Sequence, residues 1–164
     1  MRLVPLTRGL SAMIDEEDFA LVAQYRWTAK PMQSAGGNYY VMSKLRAALG
    51  GKTIYMHRVL LDAQPGQIVD HVNRNPLDNR RSNLRFATAR QNAANSASRV
   101  NSQSGFRGVL KERRKFLARL DVGGVIHRKR GFFTAKAAAL FYDQMAREKF
   151  GEFAILNFPD GAAA

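Results

Sequence analysis

The sequence predicts an α+β protein in two small parts, each built from short strands followed by a helix. Three observations lead there. Gly123-Gly124 sits between two strand-like stretches, 116–122 and 125–132, as a two-residue hairpin signal, and a capped helical pattern follows at 135–150. Ile68-Val69-Asp70-His71 has strand character, and Thr88 with Gln91 three residues later forms a capping box that starts a small helix. Between these blocks, 95–104 is polar and rich in Asn and Ser, the composition of a linker.

The segment 1–66 opens with a short apolar strand. Asp15-Glu16-Glu17-Asp18 then precedes Phe19-Ala20-Leu21-Val22. Four clustered acids can ligate a metal. Acids also favour the positive end of a helix and Asp15 is a good N-cap, so a helix start is expected. Stretches around Trp27 and around Tyr39-Tyr40-Val41 read as strands separated by the loop 34–38, with Trp27 as a core anchor. A short helix is expected over 56–61. In the last segment Thr134 caps the helix over 135–150 and Gly151 closes it. Ala138, Phe141, Tyr142 and Met145 share one face at helical spacing and should pack against the sheet.

Composition narrows the function. A hydrophobic fraction of 46% suits a globular chain. No apolar run reaches the roughly 18 residues of a membrane helix, and no secretory signal opens the chain, so no membrane partner is expected. With no cysteine, any metal must sit on oxygen or imidazole, and a cytoplasmic setting, in a bacterial or phage-infected cell, is expected. The net charge is +13, and residues 72–130 hold 15 basic groups against 3 acidic ones. A solvated surface usually mixes both signs, so this concentration points to a phosphate polymer.

The chemistry concentrates in 67–97. Asp70 and His71 are adjacent on an expected strand, so their side chains leave on opposite faces. Asn83 follows His71 by twelve residues, and Asn92 follows Asn83 by nine. This order resembles the HNH nuclease motif, in the His-Asn-Asn variant found in phage and intron homing endonucleases, over roughly 57–92. The resemblance implies a ββα-metal module. His71 would be the general base, since imidazole accepts a proton near neutral pH. Asp70 and Asn92 would offer oxygen to a divalent metal, Mg²⁺ or Mn²⁺, one per site. Asn83 would hydrogen-bond backbone across the loop and hold His71 in place. Arg80, Arg81 and Arg85 are candidates for phosphate contacts. The turn Asn73-Arg74-Asn75-Pro76 departs from the Gly-Asp pair common in the family. His57-Arg58 matches an upstream pair, with His57 as support for the fold.

The segment 105–159 is similar to the DNA-binding domain of plant ethylene-response factors, the Apetala type. Gly105-Phe106-Arg107-Gly108-Val109, Phe116, Gly131-Phe132-Phe133, Ala137-Ala138, Tyr142 and the ending from Gly151 to Asn157 carry the likeness. It implies a three-stranded antiparallel sheet laid in the major groove of double-stranded DNA, backed by one helix. Arg107 and Arg119 would face DNA, with Lys111, Arg113 and Arg114 around the first hairpin and His127 and Lys129 on the third strand. Arg128 and Arg130 then stand where the family has apolar residues, which leaves the register of that strand open. Leu110 and Asp121 replace common arginines. A zinc ligand role for His127 lacks a matching Cys or His nearby.

The expected layout is an N-terminal extension with the nuclease module over 1–97 (motif core 55–97), a linker at 98–104 and the DNA-binding domain at 105–159. The expected activity is hydrolysis of DNA phosphodiester bonds, leaving a 5′ phosphate and a 3′ hydroxyl, as the resemblance implies. The rival readings are a DNA-binding regulator without catalysis and an RNA binder. The oligomeric state is open.

Overall fold

The computed structural model describes residues 1–32, 39–45, 50–95, 100, 101 and 103–159. They form two compact units, 1–88 and 89–164. The expected loop at 34–38 and residues 98, 99 and 102 of the expected linker lie outside the described residues.

In the first unit, β1 (Arg2–Pro5) pairs with β2 (Ser11–Ile14), and β3 (Thr28–Pro31), β4 (Tyr39–Lys44) and β5 (Thr53–Tyr55) form an antiparallel sheet. Short helices α1 (Phe19–Ala23) and α2 (Met56–Leu60) flank these strands, and a hairpin of β6 (Ile68–His71) and β7 (Leu84–Ala87) follows. One apolar cluster joins them: Val4, Ala12, Ile14, Val22, Trp27, Val41, Met56, Leu60 and Leu84 are buried together. Trp27 is the expected anchor, its indole Nε1 donating to Val22 O at 2.9 Å. Because Leu84 belongs to this cluster, the extension is the platform on which the β6–β7 hairpin rests.

A helical turn starts at the acids 15–18 as expected and leads into α1, but their side chains have another task. Asp15 stands at the N-cap position but makes no side-chain cap bond. Its Oδ2 instead accepts from Arg81 N at 2.8 Å, and Asp18 accepts the Arg81 guanidinium at 2.7–3.1 Å. A capping pattern is local, and here a partner more than sixty positions away wins the carboxylates.

The second unit begins with α3 (Ala89–Asn95), which starts right after Thr88, the expected position. β8 (Val109–Glu112), β9 (Lys115–Val122) and β10 (Val125–Phe132) then form an antiparallel sheet with β9 in the centre, and α4 (Ala135–Phe150) packs on it. Gly123 and Gly124 have φ of 63° and 88°, the paired positive angles that a tight hairpin turn demands and glycine supplies without strain. Thr134 Oγ1 accepts from Ala137 N at 3.1 Å and starts α4, and Gly151 ends it. Ala138, Tyr142 and Met145 are buried against the sheet and Phe141 half-buried. The division at 88 precedes the expected boundary at 97 because α3 packs with the turn 151–153 of its own unit. No helix among the described residues is long and apolar enough to cross a membrane.

Candidate functional site

The site is built on the β6–β7 hairpin. Asp70 pairs in register with Arg85 and His71 with Leu84. Directly opposed residues share a face, so Asp70 and His71 leave β6 on opposite faces. Both are buried, at 8% and 7% exposure. The loop between the strands is laced across itself. Asn83 Oδ1 accepts from Asn73 N at 2.9 Å, its Nδ2 donates to Asp78 O at 2.7 Å, and Val72 N donates to Asn83 O at 2.9 Å. Asn83 thus makes the cross-loop bonds expected of it. Asn73 and Asn75 each close an Asx turn, accepting from Asn75 N and Leu77 N. Arg74 sits between them at φ 61°, the left-handed conformation that a glycine in the family's Gly-Asp turn takes at lower cost.

Strand β2 supports this loop from the side. Met13 N donates to Leu77 O at 2.8 Å and Asn79 N donates to Met13 O at 2.7 Å. Asn79 is fully buried and presents Oδ1 to His71 Nε2 at 3.3 Å. Burial pulls the His71 imidazole below its ordinary pKa, while Asn79, Asp70 and Asp78 pull it back up. The ring of His57 meets that of His71 edge to face at 5.2 Å and stacks on Tyr55 at 5.7 Å. Among the described residues, His57 Nδ1 is buried without a hydrogen-bond partner. Burial, the His71 ring and Arg58 together push its pKa down to about 3. Both imidazoles are therefore neutral near pH 7, the state a proton acceptor needs.

The three arginines expected to meet phosphate are each held by an acid. Arg80 binds Asp78 through Nε and Nη2 at 2.8 and 2.7 Å, and this holds the Asp78 carboxyl below its usual range. Arg81 binds Asp18. Arg85 binds Asp70 Oδ2 through Nε and Nη2, both at 3.1 Å. Sequence reading missed the acids because the partners of Arg81 and Arg85 are distant in the chain. It missed Asn79 for another reason: in an Asn-rich loop nothing local separates the residue that touches His71 from its neighbours.

The divalent metal that HNH nucleases generally use finds a fitting donor type in the Asp70 carboxylate, with no thiolate in the chain to favour a softer ion. Asn92 lies exposed on α3, which belongs to the second unit, whereas Asp70 and His71 belong to the first. Among the described residues no three His, Asp or Glu side chains cluster as a metal site.

The open face of the C-terminal sheet differs from the expected one. Counting from the Gly123-Gly124 turn, Val125 opposes Val122, His127 opposes Leu120, Arg128 opposes Arg119 and Lys129 opposes Ala118. Leu120 and Ala118 are core residues under α4, so His127 and Lys129 lie on the helix side, and Lys129 Nζ rests 4.5 Å from the Phe141 ring. Their expected place on the DNA side is corrected by this parity. Arg128 lies on the face away from α4, beside exposed Arg119. Among the described residues neither guanidinium has an acid partner. A register shift between Lys129 and Phe132 follows, and Arg130 reaches Glu112 at 3.5 Å. Arg107, also expected to face DNA, is only 7% exposed. Its backbone is tied to Asn157 on both sides, and at Gly108 (φ 65°) a Cβ would collide with the Tyr142 ring, so this stretch is pressed against α4. Lys111, Arg113 and Arg114 are exposed around the first hairpin.

The β6–β7 hairpin with adjacent Asp70 and His71 and its asparagine-laced loop carries the elements of an HNH nuclease motif. A family model described as HNH endonuclease matches residues 55–94. The chain is also 30% identical over 152 residues to an uncharacterised HNH endonuclease of Acanthamoeba polyphaga mimivirus, covering 92% of this chain and 76% of the relative. The chain belongs to the HNH endonuclease family and is a nuclease. No solved structure matches it.

Proposed function

We propose that the protein is a metal-dependent endonuclease that hydrolyses phosphodiester bonds in double-stranded DNA, with His71 as the base that takes a proton from water. The observation that carries this reading is the buried His71 next to Asp70 on β6, with the loop held by Asn83. Asp70 and Asn92 are the proposed ligands of one Mg²⁺ or Mn²⁺. When bound, that ion stabilises charge on the phosphate and on the departing oxygen. Asn83 holds the loop that carries the turn after His71. The products are a 5′ phosphate and a 3′ hydroxyl.

Target binding is proposed to use the C-terminal unit as an ethylene-response-factor-type domain. The order of three antiparallel strands and one helix supports this, as does the exposed Arg119–Arg128 pair. Like charges opposed across strands cost stability, and a phosphate backbone relieves that cost. Arg80, Arg81 and Arg85 act first on their acids, so they meet phosphate only after exchange or through remaining donors. A phage or homing role and a cytoplasmic setting remain part of the proposal.

The test is supercoiled plasmid with Mg²⁺ or Mn²⁺, comparing wild type, Asp70→Ala and His71→Ala, with an EDTA control. Metal-dependent relaxation or linearisation by wild type alone supports the assignment. Equal cleavage by His71→Ala removes His71 from the chemistry.

A further inference from the structure

His71 can act on water through only one ring nitrogen, and the surroundings of the ring decide which. Neutral imidazole has one N–H and one lone pair. Asn79 Nδ2 donates to Pro76 O at 3.1 Å, which turns the other end of the amide, Oδ1, towards His71 Nε2 at 3.3 Å. An amide oxygen only accepts, so the nitrogen it faces carries the proton. The amide has little freedom to do otherwise. Asn79 is fully buried, and its backbone N–H is bound to Met13 O at 2.7 Å. Behind the ring, the edge-to-face contact with His57 at 5.2 Å restricts rotation of the imidazole.

We propose that Asn79 is the positioning residue for His71, holding the protonated Nε2 and thereby presenting Nδ1 as the proton acceptor. This rests on the reading of His71 as the base. It adds a residue outside the Asp-His-Asn-Asn set and gives β2 a role, since Met13 holds the Asn79 backbone. The Asn79 side chain does not touch substrate in this account. It acts through His71, as metal-bound or catalytic histidines are often fixed by the hydrogen bond of their other nitrogen.

The experiment is nitrogen-15 correlation spectroscopy of the full chain labelled at its three histidines, above the ordinary imidazole range. The His71 signal is assigned by its loss in His71→Gln. The expected spectrum has a protonated Nε2 and an unprotonated Nδ1 on His71. A protonated Nδ1 in the wild type overturns the proposal, whatever the variants do. Asn79→Leu, which loses both amide bonds, should mix the two tautomers and lower kcat about tenfold, the order of one hydrogen bond, with KM for DNA nearly constant. Asn79→Asp loses the donor to Pro76 but keeps an acceptor for Nε2, so it should hold the wild-type tautomer. Equal loss of tautomer in the Leu and Asp variants, both folded by Trp27 fluorescence, makes Asn79 a loop tether only and overturns the proposal. If His71→Ala still cleaves while the wild-type tautomer is as expected, the base assignment fails and the assignment of the Asn79 contact stands.

Discussion

His57 makes the N-terminal unit acid-labile. Its ring lies buried between Tyr55 and His71, with Nδ1 lacking a hydrogen-bond partner among the described residues, and its pKa falls from 6.5 to about 3. Protonation is thus disfavoured in the folded state and ordinary in the unfolded chain. Stability is full above the unfolded pKa of 6.5 and declines as pH falls towards about 3, because only the unfolded chain binds the proton in that window. At about pH 5 the unfolded chain gains roughly 2 kcal/mol from this one site. With a urea m-value of about 1–2 kcal/mol/M, the midpoint should drop by about 1 M or more between about pH 7 and pH 5. Trp27 is the single tryptophan and belongs to this unit's core, so its fluorescence reports the transition. His57→Phe removes the titration and should remove most of that pH-dependent drop, whatever its stability at neutral pH. Equal midpoint shifts in wild type and His57→Phe would refute the reasoning.

Asn83→Ala leaves Asn73 N and Asp78 O without their side-chain partners, so the N-terminal unit should lose about 2 kcal/mol in the same urea assay, with cleavage falling further than stability. Arg119→Ala with Arg128→Ala should weaken DNA binding and flatten the slope of log affinity against log salt by about 2, whereas Lys129→Ala should change it less. Filter binding across a salt series separates the two. Gly108→Ala forces a left-handed alanine into the Tyr142 ring and the Arg119 carbonyl, and should cost the C-terminal unit at least ~2 kcal/mol by thermal melting. Arg81→Ala removes the bonds to buried Asp18 while leaving a half-exposed site, so a loss of about 1 kcal/mol is expected by urea denaturation.

Local pattern determined much of this protein. The hairpin at Gly123-Gly124, the helix start after Thr88, the cap at Thr134, the short helix at 56–60 and the strand bearing Asp70-His71 were legible because each depends on residues a few positions apart. The spacing from His71 to Asn83 and Asn92 marked the nuclease family for the same reason. Tertiary structure decided the rest, where the deciding partner is remote or where parity counts. Asp18 takes the Arg81 guanidinium and Asp15 the Arg81 backbone N–H instead of capping a helix, since a buried carboxylate such as Asp18 is better satisfied by a guanidinium than by a marginal five-residue helix. His127 and Lys129 turned to the helix side because side chains alternate along a strand, so the pairing counted from the turn assigns every face at once. Arg107 is buried where its backbone is tied to Asn157, fifty positions away, and Asn79 reached His71 because β2 holds its backbone there. Each of these outcomes follows from close packing between elements far apart in the chain, which no window of neighbouring residues contains.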